Sequence, residues 1–272
     1  MSTVRLLDLT QQQFSLSAEE ATGLIMAGRI WIGHLPADKP GTPVPDDTVL
    51  TLIEKPRKYA SRSGYKLEKA LKVFAVDPTA LMVCDIGASN GGFTDCLLQH
   101  GAQHVFAVDV AYGILAWELR NDPRVSVLER QNARHLTVEH LDNTVCDMVT
   151  ADVSFISLKK IYPAIRRVLK PDGVCITLVK PQFEAERRQL GKNGVLKDPA
   201  DLPPLLASLF DCAAENGLYL TDLSVSPIHG TNGNVEYLAY YTDTPKLTRD
   251  DRERLIEKVV CERPDSDLQQ EK

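Results

Sequence analysis

LMVCDIGASNGGFTD, residues 81–95, decides the fold. A run of apolar-type residues ends in Asp85, and Gly87, Gly91 and Gly92 follow before FTDCLL starts a helical pattern. A buried strand, a tight glycine turn and a helix N-terminus form a cradle for nucleotide-like ligands. The details of the turn choose among them. A dinucleotide fingerprint needs G-x-G-x-x-G, but Ala88, Ser89 and Asn90 follow Gly87, so the second glycine is missing. Gly87 and Gly92 have P-loop spacing, but Phe93 and Thr94 stand where Lys-Ser/Thr is required. An acidic residue at the strand end suits a cation or hydroxyls better than a pyrophosphate. S-adenosylmethionine, with a sulfonium, an amino group and no phosphate, fits best.

Outward from this turn, the chain alternates helix and strand. Residues 65–74 read as a helix with Leu67, Ala70, Leu71 and Phe74 on one face. Strands are predicted at 81–86, 105–110, 125–128, 148–151 and 174–179. A stripe of Leu158, Ile161, Ile165, Val168 and Leu169 predicts a helix over 158–169, with Pro163 kinking it or ending a turn. A helix over 202–216 stops at Gly217. Two strands, 218–226 and 236–242, are joined by PIHGTNGN and read as an antiparallel addition at the sheet edge. The fold class is therefore α/β, a doubly wound, mostly parallel Rossmann-like sheet spanning residues 64–245. Residues 246–272 form a C-terminal helix and a polar tail. Residues 1–53 read as a small α+β unit, with a helix over 18–26, strands at 30–32 and 49–53, and a Pro/Gly/Asp loop between them. Residues 54–63 are the linker.

Composition narrows the class. The chain has 272 residues, 43% hydrophobic and 25% charged, which is the balance of a globular protein with a proper core. No apolar run approaches the roughly 18 residues of a membrane span, and the N-terminus lacks the basic start and apolar core of a secretory signal. Six dispersed cysteines without C-x-x-C read as free core thiols in a reducing cytoplasm. His100 and His104 are spaced i, i+4, but Gly101 lies between them at a helix end, so no metal site is expected. Net charge is −6, which argues against a surface coated in cations. Locally the balance reverses. Lys55, Arg57, Lys58, Arg62, Lys66, Lys69 and Lys72 face only Glu68. Such a stripe can bind phosphates, although a solvated linker and helix face would read the same way.

In a sheet of this kind, ligands lie outside the carboxyl ends of the strands. Those ends carry Asp85, Asp109 (placed for two ribose hydroxyls), Asn132 with Arg134, Asp152 and Lys180. Each alone has a plain reading as a helix cap or a solvated charge. All five at equivalent positions are harder to dismiss. Lys180 weighs most, because an apolar run leads into it and Pro181 fixes its exit. A lysine's ordinary pKa is near ~10.4, and burial or a second cation lowers such a value, which lets a lysine serve as a base. Asp152 on the next strand could steer it.

DIGASNGGFTD, TADVSFISL, LVKPQFEA and SRSGYKLEKAL together resemble the TlyA family of hemolysin-like ribosomal RNA 2′-O-methyltransferases, relatives of the FtsJ-type enzymes. The resemblance runs from about residue 59 to 242. It implies a Lys-Asp-Lys-Glu tetrad that falls on Lys66, Asp152, Lys180 and Glu236. It implies cofactor contacts from Asp85, Gly87, Ala88, Asn90, Gly91, Asp109, Asn132 and Asp152, and an RNA substrate within ribosomal subunits. RNA contacts are then expected from Arg57, Lys58, Arg62 and Lys69, and from Arg187 and Arg188 in the loop after Lys180. The N-terminal unit resembles that family's S4-like RNA-binding module through LIMAGRIWIG and DKPGTPVPDD. It departs from the pattern at Ala18, where an arginine is usual, and at Gly33-His34, where Asn-Gly is usual. Fewer cations on that helix weaken phosphate binding.

Two other functions compete. One is a methyltransferase for a small molecule or a protein, which would have no need of Lys66 and its basic stripe. The other is a membrane-active protein, suggested only by the word hemolysin. Without an apolar span or a strongly apolar amphipathic helix, the sequence supports it little.

Overall fold

The computed structural model describes residues 2–33, 35–53, 58–192, 194–230 and 233–262. Its contacts divide the chain into two compact units, Met1–Lys58 and Tyr59–Lys272. No helix among the described residues is long and apolar enough to cross a membrane.

The first unit contains β1 (Thr3–Arg5), α1 (Leu6–Phe14), α2 (Ala18–Met26), β2 (Ile30–Ile32), β3 (Leu35–Pro36), β4 (Pro43–Pro45) and β5 (Leu50–Leu52). A capping box starts α2. Ser17 Oγ accepts from the Glu20 amide, and Glu20 Oε2 accepts from the Ser17 amide. β3, β2 and β5 form an antiparallel sheet, and β1 pairs with β4. Leu6, Leu9, Ile25, Ile30, Val44 and Leu50 make a core of its own. The helix α1 went unread in the sequence, because Arg5 offers it no side-chain cap and its apolar residues are few.

The second unit contains α3 (Ser63–Val73), β6 (Met82–Ile86), α4 (Gly92–Gln99), β7 (His104–Val108), α5 (Trp117–Arg120), β8 (Val125–Leu128), β9 (Cys146–Ala151), α6 (Tyr162–Val168), β10 (Leu169–Val179), α7 (Pro181–Glu184), α8 (Leu202–Glu215), β11 (Tyr219–Val225), β12 (Tyr237–Thr242) and α9 (Arg249–Val260). Residues 59–63, read from composition as linker, belong to this unit, and Tyr59 is buried against Tyr65. The expected long helix over 158–169 is split into a 3₁₀ turn, Leu158–Lys160, and α6. Pro163 sits in the first turn of α6, where its missing N–H costs nothing.

Seven strands form one sheet in the order β11-β12-β10-β9-β6-β7-β8. β10, β9, β6, β7 and β8 are mutually parallel. β12 runs antiparallel to both β10 and β11. The closing pair is thus an antiparallel addition at one edge of the sheet, as expected, with β12 as its inner strand and β11 outermost. The two strands differ in the way this requires. β12 (YLAYYT) is almost wholly buried, while β11 (YLTDLSV) alternates and carries a register shift between Leu220 and Asp222.

Alternate residues feed opposite layers. Val83, Val105, Ala107, Met148, Ile176 and Leu238 pack toward α3 and α4. Cys84, Phe106, Val108, Val149, Cys175 and Tyr241 pack toward α6, α8 and α9. Strand order reverses between β6 and β9, so the crevice of a doubly wound sheet opens above that pair. Phe210 of α8 has no exposed surface and packs edge-on against Tyr241, with centroids 6.2 Å apart. Phe210→Ala should lower unfolding free energy by ~3–5 kcal/mol in urea denaturation. A loss below ~1 kcal/mol would contradict this packing.

Candidate active site

The turn after β6 is fixed from two sides. The amides of Gly87 and Ala88 both donate to the Val108 carbonyl at the end of β7, at 2.8 and 3.1 Å. Gly87 has φ +83°, and a Cβ there would lie 2.5 Å from the Asp152 carbonyl oxygen. Only glycine lets the backbone pass this close to the end of β9. Beyond the turn, the Ser89 amide donates to Asp109 Oδ2 and the Ala111 amide to Oδ1, both at 2.8 Å.

Two cavities meet at this point. The larger, about 830 Å³, is lined by Lys66, Gly87, Ala88, Asn90, Asp152, Lys180 and Glu236 together with Arg62, Ser154 and His229. The smaller, about 380 Å³, is lined by Gly87, Asp109, Asn132, Asp152, Ser154 and Ile114 among others. Gly87, Ser89, Asp152 and Ser154 belong to both. The four residues of the expected tetrad, spread over 170 positions, thus share one cavity. The reversed strand explains how Glu236 arrives there. β12 begins where β10 ends, with Tyr237 opposite Val179, so the residue before β12 lies beside Lys180 at the carboxyl ends of the parallel strands.

Inside the larger cavity the four charges form two ion pairs. Lys66 Nζ donates to Glu236 Oε2 at 2.6 Å, and their side chains are 12% and 3% exposed. Lys180 Nζ lies 2.6 Å from Asp152 Oδ1, with 11% and 15% exposure. The second contact is too poorly directed for a hydrogen bond and acts as an ion pair. Lys180 Nζ donates instead to Ser154 Oγ at 2.8 Å. Buried ion pairs of this kind seldom add stability, because desolvation offsets attraction.

Other expected site residues fall elsewhere. Asp85 has no exposure and lines neither cavity. Its carboxylate accepts from Thr94 Oγ1 of α4 at 2.7 Å and Thr150 Oγ1 of β9 at 2.8 Å. Asp85 thus lies beneath the turn, apart from the lining of both cavities. Gly91 lines neither cavity and turns the chain into α4. Lys69 lies half-buried on α3, away from both cavities, and Lys58 belongs to the first unit. Arg187 and Arg188 are exposed in a 3₁₀ turn, with Arg188 paired to Glu186 at 2.6 Å. Arg57 lies outside the described residues. Ser154 went unselected although it stands in TADVSFISL, two residues past Asp152. His229 comes from a loop without periodic pattern and gave no signal.

The cradle suits S-adenosylmethionine. A glycine backbone walls the junction, Asp109 retains free lone pairs for hydroxyls, and carboxylates at Asp109 and Asp152 suit a cationic ligand. This fold and site define a Rossmann-like, S-adenosylmethionine-dependent methyltransferase.

The chain belongs to the FtsJ-like methyltransferase family, which matches residues 59–242. It is 42% identical to the 16S/23S rRNA (cytidine-2′-O)-methyltransferase TlyA of Mycobacterium tuberculosis, covering 94% of this chain and 97% of that one. It is 37% identical to Hemolysin A of Brachyspira hyodysenteriae, over 84% and 95% of the two chains. A solved structure from Streptococcus thermophilus that bears a provisional hemolysin name aligns with a TM-score of 0.71 at 38% identity, covering 95% and 96%.

Burial pushes the Asp85 carboxyl up to about 6, against the hydroxyls of Thr94 and Thr150, which favour the charged form. The folded state thus holds this proton more tightly than the unfolded state, whose ordinary value is 3.8. Its contribution to stability is complete below 3.8 and is lost as pH rises through about 6. Asp85→Asn should remove a slope worth ~3 kcal/mol between about pH 4 and 6, read as the difference between variant and wild-type urea midpoints. Parallel profiles would refute the assignment.

Proposed function

We propose that this methyltransferase acts on ribosomal RNA and methylates a ribose 2′-hydroxyl. The observation that carries the reading is the pair of buried ion pairs, Lys66–Glu236 and Lys180–Asp152, in a cavity joined to the cofactor cradle. The name of the Mycobacterium relative specifies cytidine, and we extend that acceptor to this chain.

A 2′-hydroxyl is a poor nucleophile and must be aligned and deprotonated. S-adenosylmethionine, when bound, supplies an electrophilic methyl group on a sulfonium that departs as a neutral thioether. Lys180 Nζ, after releasing a proton to solvent, takes up the hydroxyl proton as the oxygen bonds to the methyl carbon. Asp152, at 2.6 Å, and Ser154, at 2.8 Å, hold the resulting ammonium. Lys66, held by Glu236, supplies a cation on the cavity wall for the developing oxyanion and the adjacent phosphate. General base assistance of this type contributes ~10²–10⁴-fold, and alignment can contribute several of the ~7–11 kcal/mol that proximity offers.

Arg62 lines the same cavity and is the nearest candidate for a backbone phosphate. Lys58, Lys69, Arg187 and Arg188 are proposed to extend the contact. The first unit is proposed as the S4-like module that recruits the RNA. A ribosomal substrate places the enzyme in the cytoplasm.

Purified protein incubated with labelled S-adenosylmethionine and ribosomal subunits should place label on a ribose 2′-oxygen of rRNA. Label in protein or small metabolites alone would overturn the reading. In the same assay Lys180→Ala should lose at least ~10²-fold in methyl transfer while cofactor Kd stays within ~3-fold. Full turnover by that variant would remove Lys180 from the mechanism.

A further inference from the structure

The parallel neighbours β9 and β10 release their chains side by side at the site. One exit runs from Asp152 through Val153, Ser154, Phe155 and Ile156 to the 3₁₀ turn at Leu158. The other runs through Lys180 into α7. The first exit is an irregular loop with two duties. Val153, Ser154, Phe155 and Ile156 wall the smaller cavity. Ser154 Oγ accepts from Lys180 Nζ.

This loop cannot hold its shape alone. Phe155 has φ +62° and is 92% exposed, so its own burial supplies little to offset a left-handed backbone costing on the order of 1–3 kcal/mol. The fixing contacts come from α7. Phe183 packs against the Phe155 ring, with centroids 5.2 Å apart. Glu184 Oε2 accepts from Ser157 Oγ at 2.5 Å, and Oε1 accepts from the Leu158 amide at 2.9 Å. Leu158 itself is buried, so loss of this acceptor would strand an amide away from water. The carboxylate therefore ties the loop to the turn that immediately follows Lys180.

We propose that Glu184 is a positioning residue, which locks the loop after Asp152 onto α7 so that the wall of the cofactor cavity and the amine of Lys180 share one geometry. The inference rests on the reading of Lys180 as base and of the smaller cavity as part of the cofactor site. Glu184 lines neither cavity. Its effect passes through Ser157 and Leu158 to Ser154.

The test compares Glu184→Ala with Glu184→Gln. The amide oxygen of glutamine can accept from Leu158, and its NH₂ can donate to Ser157 Oγ, so the tie survives without charge. For each variant, cofactor Kd is measured by calorimetry, kcat and KM on ribosomal subunits by label transfer, and Tm by thermal melting. Glu184→Ala should raise cofactor Kd about fivefold and lower kcat about tenfold, with KM for subunits unchanged. Glu184→Gln should recover both to within about threefold of wild type. Wild-type Kd and kcat in a folded Glu184→Ala protein, with or without a lowered Tm, would overturn the proposal. Equal damage in both variants would overturn it too. If Glu184→Ala does not fold, Ser157→Ala carries the test, because it removes one of the two hydrogen bonds. It should shift Kd and kcat the same way by about two- to threefold, and wild-type values would overturn the proposal. Cofactor Kd needs no methyl acceptor. A wild-type protein that binds S-adenosylmethionine but leaves subunits unlabelled would sink the RNA reading, and the tie would still be tested through Kd.

Discussion

The carboxylate of Asp85 is sealed beneath the glycine turn, and three elements depend on it. Asp85 lies next to the end of β6, Thr94 in the first turn of α4 and Thr150 opposite on β9. With one acid accepting both hydroxyls, the strand, the helix and the neighbouring strand are set relative to one another before any ligand enters. A pair of apolar side chains would pack more cheaply there. The acid supplies direction, because hydrogen bonds restrict geometry where dispersion contacts do not. Gly87 can approach the Asp152 carbonyl only if β6 and β9 keep this spacing. The junction of the two cavities is thus fixed from below.

Above the turn, the structure places charge where burial disfavours it. Each lysine of the larger cavity has an acid within 2.6 Å, and no side chain of the four is more than 15% exposed. A lone buried charge would be neutralised or would unfold its surroundings, whereas a paired one can be kept. The pairs hold two amines at set positions in a cavity open to a large substrate.

Much of this was legible in the sequence. Short apolar runs located the strands, although β10 starts five residues earlier than its run, and the acids and amine at their ends pointed to the crevice. Lys66 and Glu236 were a different matter. Their spacing carries no local signal, and only the family resemblance joined them to Asp152 and Lys180. The burial of Asp85 was not legible, because a strand-end acid looks the same in sequence whether it faces a ligand or two threonines. The partner that decides the matter, Thr150, is 65 positions away. The closing pair was legible as an antiparallel addition at the sheet edge, but not that β12 is its inner strand. The continuous apolar run of β12, against the alternation of β11, was the available sign that it lies inside.

The inward placement of β12 also orders the life of the chain during synthesis. β11 is made first, yet it has no place in the sheet until β12 has been made and has entered between it and β10. Glu236 arrives with that same strand. Until then Lys66 lacks its acid, and the site lacks one of its two ion pairs. The nascent protein can bury most of its sheet and form its glycine cradle while the larger cavity still lacks Glu236. The strand that enters between β10 and β11 is the one that brings this acid to Lys66.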